Sequence, residues 1–290
     1  MKLEGTVIAA HGRHYLVELP DGGTLPCFPR GKKSELACGD RVSVARSSAT
    51  QGVIDAVLPR RTLLYRSNEF RQKLIAANVT RVVVVVATEP SFSEELVTRC
   101  LVAAESQDIG VLIVLNKCDL ADRLPAAEAA LAPFSSLGYP ILRLSARAGA
   151  EALRPHLAGQ TGVFVGQSGM GKSTLINALV PEANARTREI SEALDSGRHT
   201  TTHAALYRLP GDSSLIDSPG LQEFGLHHLS VPEIEHGFRE FRPWLGSCRF
   251  RNCRHDREPG CAIRAAVEAG GIAASRYAAF RALRGESRPS

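Results

Sequence analysis

The sequence has no long hydrophobic run. Its longest apolar stretch, Val82–Ala87, is far below the roughly 18 consecutive residues that cross a bilayer. The opening residues, Met1-Lys2-Leu3-Glu4-Gly5, lack the charged-then-apolar pattern of a secretion signal. Internal repeats are absent as well. Cysteines do not make up a paired set: there are seven, and three crowd into Cys248–Cys261. An odd, clustered count argues against a disulfide framework and for a metal site in a reducing compartment. These absences predict a soluble, cytoplasmic protein without a membrane partner. At 44% hydrophobic and 22% charged residues, a long disordered chain is excluded, and 290 residues allow two or three domains.

Charge is unevenly placed. Lys and Arg outnumber Asp and Glu by 5 over residues 1–73 and by 4 over 231–290, while acids lead by 4 over 74–230. Two basic ends around an acidic centre suit a polyanionic partner, with solvated arginine as the plainer alternative.

Over residues 1–65, short apolar or alternating runs (Gly5–Ala10, Tyr15–Leu19, Arg41–Ala45, Gly52–Val57) are separated by turn signals such as Pro20-Asp21-Gly22-Gly23. About five short strands predict a small barrel of the oligonucleotide-binding (OB) type, an SH3-like barrel being the alternative. From 66 to 229, strands alternate with helical stretches. Arg81–Ala87, Val111–Leu115, Pro140–Leu144, Gly162–Val165 and Ser214–Ile216 predict a parallel α/β sheet covered on both faces. Residues 230–290 read as helical and polar, interrupted by a Cys/His cluster whose surrounding segment has little apolar material, and end in a disordered tail.

Gly166-Gln167-Ser168-Gly169-Met170-Gly171-Lys172-Ser173 fits G-x-x-x-x-G-K-[ST], after the strand Gly162–Val165 and before the amphipathic stretch Thr174–Leu179. Such a loop turns backbone N–H groups onto phosphates at a helix N-terminus, with Lys172 reaching the β- and γ-phosphates and Ser173 binding Mg²⁺. Downstream, Ser214-Leu-Ile-Asp217-Ser-Pro-Gly220 ends an apolar strand in a carboxylate that can orient a Mg²⁺-bound water, and the Gly220 N–H can sense the γ-phosphate.

Asn116-Lys117-Cys118-Asp119 follows the strand Val111–Leu115. The Asp119 carboxylate can accept from guanine N1–H and N2–H₂, donors that adenine lacks there. Lys117 can lay its stem over the ring, and Asn116 can tie the loop to its neighbours. Ser145-Ala146-Arg147 can support the base through backbone N–H. The spacing therefore predicts a guanine-nucleotide site, with Cys118 at a position the motif leaves free.

These pieces come in an unusual order, base-recognition motifs before the phosphate loop. A site built from loops at one sheet edge survives such a permutation when the termini lie close. This order, together with Gly197-Arg-His-Thr-Thr-Thr202, Asp217-Ser-Pro-Gly220, Glu223-Phe-Gly225 and the Cys/His cluster, resembles the ribosome small-subunit-dependent GTPase A family over nearly the whole chain. The resemblance implies three domains: an N-terminal OB barrel (1–65), a circularly permuted P-loop GTPase domain (66–229) and a C-terminal zinc domain (230–290). It also implies GTP hydrolysis stimulated by the small ribosomal subunit, late in that subunit's maturation.

The residue after the switch glycine is Leu221, with Gln222 one further on. An apolar side chain cannot orient water, which predicts slow hydrolysis in isolation. Within the family's first switch region, Thr201 is the candidate Mg²⁺ ligand, beside Thr200 and Thr202, and His199 the candidate for orienting water, with Gln222 its rival.

Cys248-x₄-Cys253-x-His255-x₅-Cys261 supplies three thiolates and one imidazole, a closed tetrahedral set that predicts one structural zinc ion. Cys27, Cys38, Cys100 and Cys118 read as buried or incidental. Arg249, Arg251, Arg254 and Arg257 interleave with the ligands around Phe250, and Arg30, Lys32, Lys33, Arg60 and Arg61 mark the first domain. Basic clusters at both ends fit ribosomal RNA. A nucleotide-gated RNA-binding protein with little hydrolytic role is the alternative. A monomer suffices for this architecture.

Overall fold

The structure is a computed structural model that describes residues 2–31, 35–67, 72–183, 204–217 and 226–286. Five strands open the chain: β1 (Lys2–His11), β2 (His14–Glu18), β3 (Thr24–Pro29), β4 (Arg41–Arg46) and β5 (Gly52–Val57). They pair in the order β1-β2-β3-β5-β4, and β4 closes back on β1. This is the OB-type closed barrel, its β3–β5 pair parallel. Period-two burial builds the core: Val42 and Val44 of β4 point inward against Val7, Val17, Leu25 and Ile54. Strand β3 is the one of the expected five that no sequence run located, because Pro26 and Pro29 interrupt its strand signal. The alternation of buried Leu25 and Cys27 overrides them.

A two-stranded hairpin, β6 (Leu63–Ser67) with β7 (Gln72–Ala77), follows the barrel. Then comes the expected parallel sheet, in the order β10-β9-β8-β11-β13: β8 (Arg81–Ala87), β9 (Gly110–Asn116), β10 (Ile141–Arg143), β11 (Thr161–Val165) and β13 (Ser213–Asp217). Both faces are covered, so β8 carries five consecutive buried valines. Val82, Val84 and Val86 face α1 (Glu94–Glu105) and α2 (Leu124–Ser136). Val83 and Val85 face α3 (Arg154–Leu157) and α4 (Lys172–Leu179).

An antiparallel strand not anticipated from sequence, β12 (Ala204–Leu209), lies beside β13. Its other edge pairs with β1 through Ala9↔Ala205 and Ala10↔Ala204, so barrel and parallel sheet form one eleven-stranded sheet.

The C-terminal region comprises α5 (Val231–Gly237), a 3₁₀ segment (Arg239–Trp244), α6 (Ala262–Glu268) and α7 (Ala274–Glu286). The expectation that the chain past Leu229 is polar is corrected. Phe238, Phe241 and Phe280 are fully buried, with ring centroids 4.9–5.7 Å apart, and they belong to the same core as α1 and Val82. Residues 287–290 of the expected tail lie outside the described residues, while Arg284, Gly285 and Glu286 are helical.

Candidate functional site

The chain ends of the parallel strands converge at one edge. In the ladder Ala87 stands opposite Asn116, so Thr88 and Lys117 leave the sheet side by side. Loops after β9, β10 and β11 open at the same edge, at which β13 also ends, and open α/β sheets bind ligands there.

Asn116 joins these loops. Buried to 1% exposure, its Nδ2 donates to the Met170 carbonyl at 2.8 Å. Its Oδ1 accepts from the Lys117 and Ala146 N–H groups at 2.8 and 2.9 Å. One amide thus links the phosphate loop, the base loop and the Ser145-Ala146-Arg147 loop. Gly171 (φ +90°) is what lets it approach: a Cβ there would lie 2.3 Å from Asn116 Nδ2. Gly166 (φ +143°) is confined in the same way, 2.2 Å from the Val85 carbonyl oxygen.

Lys172, at the start of α4, points back into its own loop, with Nζ 2.6 Å from both the Gly166 and Gln167 carbonyls. Burial lowers its pKa and the nearby Asp217 carboxylate opposes that. Asp217, at the end of β13, is raised by burial with Lys172 opposing. Ser168, Gly169, Ser173 and Thr174 lie exposed at the mouth of the loop.

In the base loop Asp119 is exposed, and the Ser145 hydroxyl holds its carboxyl below the usual range. Arg147 is exposed nearby. The Cys118 N–H donates to Leu144 O. Lys117 takes a left-handed backbone (φ +61°), and its Nζ donates to Glu89 O at 2.7 Å. The Thr88 hydroxyl donates to Lys117 O at 2.9 Å. Thr88 and Glu89 are supports that sequence reasoning missed, since no motif spacing marks them. His199, Thr200, Thr201, Thr202, Gly220, Leu221 and Gln222 lie outside the described residues.

Cys248, Cys253, His255 and Cys261 bring one ligand atom each within 4.8 Å of one another and could hold a metal ion. Cys248 Sγ stands 4.0 Å from Cys261 Sγ and 3.5 Å from His255 Nδ1, and His255 Nδ1 stands 3.3 Å from Cys261 Sγ. A zinc tetrahedron with Zn–S near 2.3 Å and Zn–N near 2.0 Å has edges of about 3.5–3.8 Å, so the residues fit that ion. Behind the set, His255 Nε2 meets Glu235 Oε1 at 3.3 Å, the carboxylate partner that orients a metal-bound imidazole through its other nitrogen. Backbone N–H groups of Ala262 and Arg264 donate to Cys248 and Cys261 sulfur. All seven cysteines are free thiols, and Cys27, Cys38 and Cys100 are buried.

Among the basic residues, Arg60 is held by both oxygens of the fully buried Asp40, whereas Arg30 pairs with Asp55 but keeps its side chain 70% exposed at the surface. Lys32 and Lys33 lie outside the described residues, and Arg61 is exposed. Phe250 is 41% exposed beneath the Arg249 guanidinium. Glu258 accepts from the Arg254, Asp256 and Arg257 N–H groups, which hold its pKa at about 2 and shape the arginine-bearing loop. Among the described residues no helix is long and apolar enough to cross a membrane.

Residues 57–227 match the family model described as RsgA GTPase. A curated relative from Burkholderia pseudomallei (strain K96243), named small ribosomal subunit biogenesis GTPase RsgA, is 55% identical over 97% of this chain and 91% of its own. One of the same name from Nitrosospira multiformis is 54% identical over 97% and 90%. Among solved structures, YjeQ from Thermotoga maritima matches with TM-score 0.74 at 30% identity over 99% of this chain and 98% of its own. YloQ, described as a circularly permuted GTPase, matches with TM-score 0.70 at 27% identity over 99% and 95%. With its barrel, permuted nucleotide site and Cys/His cluster all present, the chain belongs to the RsgA GTPase family.

Proposed function

We propose that this chain binds GTP at the loops joined by Asn116, hydrolyses it to GDP and phosphate when the small ribosomal subunit stimulates it, and so acts late in that subunit's maturation. The single observation that carries the reading is the Asn116 side chain, which binds the phosphate and base loops into one pocket edge.

In this reading Asp119 accepts the guanine edge, Lys117 covers the ring, and Ser145, Ala146 and Arg147 back it, with Cys118 alongside. Gly166, Gln167, Ser168, Gly169, Met170 and Gly171 wrap the phosphates with backbone N–H groups, joined by the first turn of α4 from Lys172 through Thr174. To reach a γ-phosphate Lys172 exchanges its two carbonyl partners for phosphate oxygens, a gain because ion-to-ion hydrogen bonds are the stronger. Ser173, Asp217 and Thr201 would hold Mg²⁺ through their hard oxygens, and the ion would supply neutralisation of phosphate charge. Gly220 is assigned to sensing the γ-phosphate and His199 to orienting water.

The Cys₃His set is assigned one structural zinc, and the Arg249–Arg257 loop and the barrel to rRNA. The domain limits 1–65, 66–229 and 230–290, a monomeric state and a cytoplasmic site of action complete the proposal. Leu221 after the switch glycine favours a second reading, in which GTP gates RNA binding and hydrolysis matters little.

Co-sedimentation with small subunits in GTP, GDP or a non-hydrolysable analogue, paired with phosphate release, separates the two. Stimulated turnover supports the GTPase reading; nucleotide-dependent binding without it supports the gate. For the site itself, Asp119→Ala removes two charge-assisted hydrogen bonds and weakens GDP binding by about 100-fold or more. An unchanged GDP titration refutes the base-site assignment.

A further inference from the structure

Among the described residues two helices are capped by serine, and they complete their caps differently. At α5, Ser230 is followed three residues later by Glu233, whose carboxylate accepts from the Ser230 N–H at 2.7 Å. This is a capping box within one segment. At α1, the Ser93 hydroxyl accepts from the Leu96 N–H at 3.2 Å. The residue that should return the favour is Leu96 itself, which has no acceptor in its side chain. The Ser93 N–H is instead taken by Gln167 Oε1 at 2.7 Å, from the second position of the phosphate loop, 74 residues away. Pro90, just before this cap, comes within van der Waals reach of a side chain placed at Gly169.

The rest of α1 carries the C-terminal region. Arg276 donates to Thr98 Oγ1 at 2.7 Å in the buried interior. Arg99 binds Glu286. The 7%-exposed Glu105 carboxylate accepts from Arg239 and Arg242, each at 2.6 Å. Gly237 lies so close to α1 that a Cβ would sit 2.8 Å from Val102. One helix thus has its first N–H held by the phosphate loop and its body held by the metal-bearing region.

We propose that Gln167 is a positioning residue that completes the α1 cap from across the nucleotide site and so makes the C-terminal region respond to phosphate-loop occupancy. The Gln167 main-chain carbonyl is also one of the two acceptors that Lys172 must leave to reach a phosphate, so the residue that caps α1 changes partners when the loop fills. Linkage makes the effect reciprocal: what holds α1 also biases the loop. This rests on the reading of residues 166–173 as a nucleotide site.

The test is amide hydrogen exchange on the full, metal-loaded chain with and without saturating GDP, alongside a GDP titration of each variant. The wild type should show slower exchange in α1 and in residues 231–286 when GDP is bound. Gln167→Ala should speed exchange at the start of α1 by about fivefold, the effect of a lost cap, and should lose most of the GDP response in 231–286. Leu96→Gln supplies an acceptor in cis. Added to Gln167→Ala, it should restore the basal exchange of α1 and leave the long-range GDP response lost. A GDP response that survives in Gln167→Ala, that is missing in the wild type, or that returns in full with Leu96→Gln, overturns the inference. Absence of GDP binding to the wild type overturns the nucleotide-site reading instead.

Discussion

The barrel and the C-terminal region are fastened to the same α/β core by different chemistry. The barrel is joined largely through the backbone: β1 and β12 share a short antiparallel ladder, Ala9 and Leu16 pack into the α/β core beside it, and Arg208 of β12 pairs with Glu18 of β2. The C-terminal region is joined through side chains. Its phenylalanine cluster continues the core of α1 and β8, and buried polar groups pin it: Arg276, paired with Glu240 of the same region with both side chains 4% exposed, donates across to Thr98 of α1, and Glu105 of α1 takes Arg239 and Arg242. A backbone ladder accepts almost any residue, whereas a buried ion pair needs both partners. The C-terminal junction should therefore be far more sensitive to substitution than the barrel junction.

Metal removal has the largest expected effect and sharpens this contrast within one region. Structural zinc contributes on the order of 10 kcal/mol in small zinc peptides, so on the proposed zinc assignment a chelator should release Cys248–Cys261. Phe238, Phe241 and Phe280 touch the metal set through Cys261 and His255 but also continue the core of α1 and β8, and on that packing α7 should stay docked. Hydrogen exchange checks this: simultaneous loss of protection in Ala274–Glu286 would show that the metal holds the whole region.

Next in size, Arg276→Ala strands the Glu240 carboxylate and should cost about 3–5 kcal/mol in urea unfolding. Replacing both partners (Arg276→Met with Glu240→Leu) should recover most of that. A single-variant cost below about 1 kcal/mol would contradict the burial argument. At the barrel, Arg208→Ala should cost about 0–1 kcal/mol, since its side chain is 47% exposed. A loss as large as that of Arg276→Ala would erase the distinction between the junctions.

The smallest effect concerns pH. Hydrogen bonding to Arg99 pulls the Glu286 carboxyl below its usual value, and burial opposes the shift. Its contribution is present above the ordinary glutamate pKa and disappears as pH falls through the lowered one. The last turn of α7 should loosen only in acid, and later for the wild type than for Arg99→Gln. Exchange measured against pH, corrected for intrinsic rates, tests it.

Much of this was legible in sequence where pattern and function coincide. β5 falls on Gly52–Val57 and β8 on Arg81–Ala87, both as the run of apolar residues indicates. The loops around Asn116, Ser145 and Gly166 follow strands as their motifs require. Hidden features are those made by distant partners. β12 reads as an unremarkable Ala-Ala-Leu-Tyr-Arg-Leu stretch until β1 and β13 flank it. Nothing in the spacing of Glu235 marks it as the residue behind His255. The left-handed turn at Lys117 and its support by Thr88 depend on two strands ending level. Phe238 and Phe241 stand three apart, a signal for a buried face that the surrounding charge obscures.

The ladder between β1 and β12 also sets a schedule for synthesis. The barrel's own strands are complete by Val57, but Ala9 finds its second neighbour only when Ala205 is made. At about 5–20 residues per second the stretch from Val57 to Ala205 takes roughly 7–30 s. Throughout it, the far end of the first strand stands as an open edge on a nascent chain, free to pair with a foreign strand. Slowed elongation between these two points should therefore favour misassembly of this protein over its capture by the correct partner.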